Sequence, residues 1–455
     1  MNKKTVFFLI IILFIGSFFR LWQLDSVPPG LYPDEAINGN NAREALETGN
    51  YKWFYLDNNG REGLYINTIA LSLKFFGNEP WAIRLVSTIF GILTILGLFL
   101  LTRKLFNDRI ALFSSFFLAI SFWHIIFSRI GFRAIMAPFF LVWAFYFLYS
   151  KRAVLAGLLF GLGFHSYIGY RIAPLILAIP FWHLWKQKQK KIIIIFLIST
   201  FIAGLPLGWY FLNNPSDFFG RTSQISIFSS ESPLQNLGIN IAKTFQMFFF
   251  IGDSNWRHNF SGAPQLWWPV AILFLIGFIL SMKRKSWFVL SWFIIMFLPV
   301  VVSNEGIPHA LRAIILIPPV MIFAGIGMNY IYKKIPKKFL PITLLIFFSI
   351  ITLQTYNQYF QKWAQSTHTY HAFTGKYWDL GQELKTLPSS MTKKYVIVNV
   401  DGVLVNGVPM PAQTVMFSTN NDPDIIYILP EEVDSIRQPA NCPPDSCIII
   451  KLNNE

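Results

Sequence analysis

Along most of this chain apolar residues do not alternate with polar ones; they run on. Stretches of about 20 apolar residues, the length a helix needs to cross a bilayer, recur between short polar breaks. The pattern predicts about eleven spans, roughly at 5–24, 80–101, 109–127, 134–150, 153–169, 171–185, 192–211, 266–282, 287–303, 310–331 and 339–355. The first contains "FLIIILFIGSFFRLWQL", which stays apolar too long for a signal peptide and lacks a small-residue cleavage site. It reads as a helix.

Two longer segments interrupt the runs, 25–79 and 212–265. In the first, "REGLYINTIALSLKFFG" is apolar over much of one face but carries Arg61, Glu62, Asn67 and Lys74. That mixture predicts a helix lying in the membrane interface. From about 356 the period shortens. "KKYVIVNV", "DIIYIL" and "SCIIIKL" predict short buried strands, and "YWDLGQELKTL" a helix before them. The expected architecture is an all-α polytopic membrane module over 1–355, with outer loops 25–79 and 212–265, and a small α/β domain over 356–455.

Composition agrees. Of 455 residues, 54% are hydrophobic and 13% charged, against about 25% charged in a soluble domain. The net charge of +15 does not point to nucleic acid, because Lys and Arg gather in tight clusters between the apolar runs. Lys3/Lys4, Arg103/Lys104/Arg109, Lys151/Arg152, Lys186 to Lys191, Lys283/Arg284/Lys285 and Lys333 to Lys338 all fall on one side of an alternating topology. The positive-inside rule makes that side cytoplasmic. This predicts a multi-pass protein of the plasma (inner) membrane, with its N-terminus inside and its C-terminal domain outside. The two cysteines, Cys442 and Cys447, would then face an oxidising compartment, as a disulfide or as two free thiols.

Arginines mark the opposite ends of the spans: Arg20, Arg84, Arg129, Arg133, Arg171 and Arg312. A single one can snorkel to lipid headgroups. Six on one face favour an anionic ligand, because guanidinium binds phosphate oxygens as a planar fork. Arg129 and Arg133, in "FSRIGFRAIMAP", would share a face if that turn is helical. "GFHSYIGYR" groups His165, Tyr167 and Arg171, and "NEGIPHALRAIILIPP" groups His309 and Arg312; both are candidates to line a site. The sequence has no metal-ligand spacing of the His-x-x-x-His or Cys-x-x-Cys type and no phosphate loop of the Walker kind.

The candidate chemistry centres on "GLYPDEAINGNNARE". Pro33 suits the first position of a helix, which puts Asp34 and Glu35 in its first turn, where the helix dipole favours carboxylates. Ordinary capping explains such acids on most helices. Beside outer-end arginines, however, a carboxylate could serve as a general base.

"LYPDEAINGNNAREALETGNY", with "GREGLYINTIALSLKFFGNEPWAIRLVSTIFGILTILGLFLLTRKLF", resembles the first module of the dolichyl-phosphate-mannose protein mannosyltransferases and their bacterial relatives, including aminoarabinose transferases. "HIIFSRIGFRAIMAPFFLVWAFYFL" and, more loosely, "PHALRAIILIPP" extend the resemblance to about the first 330 residues. It implies a GT-C fold and an inverting transfer of a hexosyl- or pentosyl-type sugar on the outer face. The donor would be a polyprenyl-phosphate sugar, and the acceptor a hydroxyl of a protein, glycolipid or polysaccharide. By position Asp34 corresponds to the catalytic acid and Glu35 to its companion. Arg61 corresponds to a basic residue facing donor phosphate, though Glu-Gly follows it here where relatives often have Pro. Arg129 and Arg133 fall on the family's arginine-containing outer turn. No cofactor is implied with certainty; a divalent metal is left open. Two rival readings are a transporter or flippase of lipid-linked sugars and a non-catalytic envelope-assembly subunit.

Overall fold

The long apolar runs fold as helices. The computed structural model describes every residue except 225, 230–231, 285, 305, 389, 401, 433–445 and 454–455. The chain divides into two compact units, one of residues 1–22 and 87–363, the other of residues 23–86 and 364–455. The loop at 25–79, which the apolar pattern assigns to the membrane module, therefore groups with the C-terminal region.

In the first unit, each predicted span corresponds to helical structure. By length and apolarity alone, five helices among the described residues can cross a membrane, and seven if each of two bent pairs counts as one span. One bent pair is Asp108–Ala119 with Phe122–Ser128, at 60°. Asn107 and Ser121 cap its two members, their side chains accepting from the N–H groups of Ile110 and His124. The other pair, Trp268–Lys283 with Trp287–Val301, bends by 119°. Helices Trp268–Lys283 and Ile317–Tyr332 approach almost backbone to backbone. A Cβ at Gly277 would lie 1.7 Å from the Phe323 carbonyl oxygen, and one at Gly327 2.0 Å from that of Leu273. Only glycine fits such a crossing.

In the second unit, three parallel strands form a sheet with Lys393–Asn399 between Ile425–Ile428 and Cys447–Asn453. All three are legible as short apolar runs. Alternation puts Val396, Val398 and Leu452 in one core and Tyr395, Ile397 and Ile428 in another, so both faces are covered. The predicted helix before the sheet spans Gly375–Thr386. Cys447 is disulfide-bonded; Cys442 lies outside the described residues.

The helix Pro33–Thr48 is the other half of this unit, and the C-terminal region closes over it. Thr374 and Thr414 both donate to the Leu31 carbonyl, at 2.9 and 2.8 Å. Asn40 donates to the backbone and side-chain oxygens of Gln413. Gly30, at φ +69°, lies so close to Phe373 and Gly375 that a Cβ would sit 2.6 Å from the Phe373 oxygen. Ile37 packs with Val405 and Met410. The tail is thus a structural partner of the acidic loop.

Candidate active site

The helix Pro33–Thr48 begins at Pro33, as the sequence predicts, with Tyr32 as its N-cap. The two adjacent acids take opposite roles. Glu35 is fully buried and ion-paired with equally buried Arg84, Oε1 lying 3.0 Å from Nε. Its Oε2 also accepts from Arg84 Nη2 at 3.2 Å and from the Tyr32 N–H at 3.3 Å. Arg84 spends its remaining donors on the carbonyls of Pro28 and Gly30. Arg84 therefore ties the helix start to the segment before it. Such a buried pair adds little net stability, but removing one partner strands a buried charge, at a cost of about 3–5 kcal/mol.

Asp34 is partly exposed. Its Oδ1 accepts from Asn58 Nδ2 at 2.7 Å. Asn58 stands on a tight loop between the short paired strands Phe54–Tyr55 and Arg61–Glu62. The loop needs three successive left-handed residues, Asn58, Asn59 and Gly60, at φ +52°, +61° and +82°. Asparagine and glycine adopt that conformation at least cost. Arg61 fastens the hairpin beneath the helix. It is 2% exposed and donates to the Asp57 carbonyl and to the side-chain oxygens of Asn38 and Asn41. The spacing "DNNGR" is a signal for this loop; the partners Asn38 and Asn41 are not foreseeable from it.

The first unit holds the remaining candidates. The turn after Ser128 is not helical: Arg129 caps one helix and Arg133 opens a short 3-10 turn. The condition for a shared helical face is not met, since the chain bends at Ile130 and is extended at Phe132 between them. Arg129 is fully buried, donating to the Phe19 carbonyl at 3.1 Å and lying over the rings of Tyr359 and Phe360. Arg133 is partly exposed. Arg20 is also buried, its guanidinium shared among the carbonyls of Gly16, Leu118 and Ala119, Ser128 Oγ and His124 Nδ1. His165 meets the Ala203 carbonyl at 3.0 Å. Tyr167 is partly exposed, and Arg171 donates to the Phe218 carbonyl and stacks on that ring.

One cluster is not apparent from the sequence. Asp253, His258 and His309 bring their ligating atoms within 4.8 Å of one another. Asp253 Oδ2 lies 3.1 Å from His258 Nδ1 and 3.9 Å from His309 Nδ1, and accepts from the Ala310 N–H at 2.8 Å. Oδ1 accepts from the Asn255 N–H. Burial alone would raise the Asp253 carboxyl, but the His258 hydrogen bond, both imidazoles and the Asn255 N–H hold it below the ordinary range. Burial, with His258 and Arg312 adding to it, pushes His309 well below the usual imidazole value. A neutral imidazole and an ionised carboxylate are the ligand forms. Arg312, beside this cluster in sequence, donates to Ser303 Oγ. Of the three ligands the sequence points only to His309, because the spacing of Asp253 and His258 in "GDSNWRHNF" matches no familiar metal motif.

Residues 64–209 match the family model described as dolichyl-phosphate-mannose-protein mannosyltransferase. No curated protein matches the chain in sequence. In structure, ArnT from Cupriavidus metallidurans bound to undecaprenyl phosphate aligns at a TM-score of 0.61 and 13% identity, over 98% of this chain and 89% of that one. The fold is GT-C. Other GT-C structures align less fully. The Archaeoglobus fulgidus oligosaccharyltransferase AglB, in complex with an inhibitory peptide and a dolichol-phosphate, gives 0.55 at 14% identity, over 92% of this chain and 64% of that one. The same enzyme in complex with Zn and sulfate gives 0.51 at 15%, over 90% and 61%. This chain thus spans somewhat less than two thirds of the archaeal enzyme.

Proposed function

We propose that this protein is a glycosyltransferase that moves a sugar from a polyprenyl-phosphate donor to an acceptor hydroxyl on the outer face of the membrane, with inversion and with Asp34 as general base. The observation that carries the reading is the division between the two acids. Glu35 is consumed by Arg84, whereas Asp34 keeps a carboxylate oxygen not taken up by Asn58, on a partly exposed side chain at the N-terminus of a helix. Asn58 holds the carboxylate in place, leaving its other oxygen to receive a proton, as a base requires.

In the reaction the acceptor oxygen forms a bond to the anomeric carbon while its proton passes to Asp34. The bond from that carbon to the phosphate oxygen breaks, and the electron pair leaves with the lipid phosphate. Cationic groups stabilise the charge gathering on that phosphate. The resemblance gives this role to Arg61, Arg129 and Arg133; of these, Arg133 is the one that is not buried. The lipid phosphates named with ArnT and AglB, undecaprenyl phosphate and dolichol-phosphate, support a donor built on a lipid of that class.

Asp253, His258 and His309 suit a divalent cation of the zinc type: one carboxylate and two imidazoles, with the carboxylate fixed by backbone N–H groups. Bound there, a cation would supply positive charge for an anionic ligand.

The test is transfer from a panel of polyprenyl-phosphate sugars by the purified protein in proteoliposomes, comparing wild type with Asp34→Asn. Transfer by wild type and its loss in the folded variant is the expected result. Near-normal transfer by Asp34→Asn would overturn the assignment, and lipid translocation without transfer would favour a flippase.

A further inference from the structure

We propose that the first unit binds one anionic diacyl phospholipid in a groove at the lysine-bearing ends of its helices, a site separate from glycosyl transfer and not dependent on that reading. The groove has a volume of about 1680 Å³, beyond the 300–1,000 Å³ of ordinary small-molecule pockets. Its walls come from helices Lys3–Leu21, Asp108–Ala119 and Leu340–Tyr356, and residues near the end of Ile317–Tyr332 close it.

The groove exists because the last long helix stands off from its neighbours. Only 11% of its apolar window is buried, against 89% for Ile314–Tyr332. Phe348 is its main foothold, packing on Phe113 and Phe116. Around it Phe8, Ile11 and Leu345 leave apolar surface exposed along the groove. On the first helix the lining runs from Asn2 to Ile15. At 1.5 Å per residue this is a depth of about 20 Å, enough for one headgroup and one leaflet of a hydrocarbon core about 30 Å thick.

The mouth is cationic. Lys3, Lys4, Arg109 and Lys333 line it, all exposed and, among the described residues, without a carboxylate partner. Asp108, the acid there, is already taken by Arg103 at 2.6 Å and by Thr5 Oγ1 at 2.9 Å. The Arg109 guanidinium lies over the Tyr332 ring, 4.1 Å from its centroid, which holds it at the mouth. An apolar slot one leaflet deep beneath a ring of cations is the complement of a phospholipid with net negative charge, and basic pockets between membrane helices bind such headgroups. The apolar walls and leaflet depth argue against free phosphate as the occupant.

Native mass spectrometry of the full-length protein in detergent, with phosphatidylglycerol, phosphatidylcholine or undecaprenyl phosphate added, tests this. Wild type should retain phosphatidylglycerol about tenfold over phosphatidylcholine. Arg109→Ala/Lys333→Ala should erase that preference, and Leu345→Trp, which fills the slot and leaves the charge alone, should reduce retention of both phospholipids. Equal retention of the two lipids by wild type would overturn the proposal. So would a preference unchanged in the double variant, tighter retention of undecaprenyl phosphate, or protein–protein association in place of lipid.

Discussion

The acid pair on the helix Pro33–Thr48 and the Asp253 cluster solve one problem in two ways. Each must hold a carboxylate in place in a chain with few acids. In the first, two neighbouring acids split the work: Glu35 is locked by Arg84 so that its neighbour can stay partly exposed on a fixed helix start. In the second, a single acid is buried and held from several sides, by His258, by the Ala310 and Asn255 N–H groups and near His309. An acid with an open oxygen can take up a proton; one surrounded by donors and imidazoles is better suited to hold a cation. The contrast lies in the neighbours, because both carboxylates are aspartates.

Mutation can break this contrast, most sharply at Asp34 itself. Asp34→Asn should lower transfer by about 10²–10⁴-fold with unchanged thermal unfolding, and equal activity would remove the distinction. Arg84→Met should destabilise the second unit by about 3–5 kcal/mol, read as a lower unfolding midpoint; if instead activity fell with stability intact, Arg84 would belong to the chemistry. Asp253→Ala should weaken Zn(II) binding by at least about tenfold, measured by titration calorimetry. In wild type that binding should fade as the pH drops, since protons compete for the imidazoles. Asn58→Gly, which keeps the left-handed turn, should cost about 1.5 kcal/mol, near tenfold in kcat/KM, with stability little changed. The smallest expected effect is that of Thr414→Val, about 1 kcal/mol of stability, because Thr374 still holds the Leu31 carbonyl.

Much of this is legible in the sequence where the signal is local. Apolar run length locates the helices, short apolar runs give all three strands of the sheet, and Pro33 marks a helix start to the residue. The long-range pairings are not legible. Nothing in "PDEAINGNN" names Arg84 as the partner of Glu35, and the six arginines at the span ends look alike by position alone. Burial separates them: Arg20 and Arg129 satisfy backbone carbonyls within the helices, a demand that arises only when a guanidinium is packed away from water. Asp253 and His258 escape notice because their third partner is brought in by folding. The closing of the C-terminal region over the acidic loop likewise depends on contacts between the ends of the chain.

That last arrangement would carry a rule of parity. Residues 23–86 and 364–455 make one compact body; with that body on one face of a bilayer, the chain would have to return to the face it left, and the crossings between residues 87 and 363 would then be even in number.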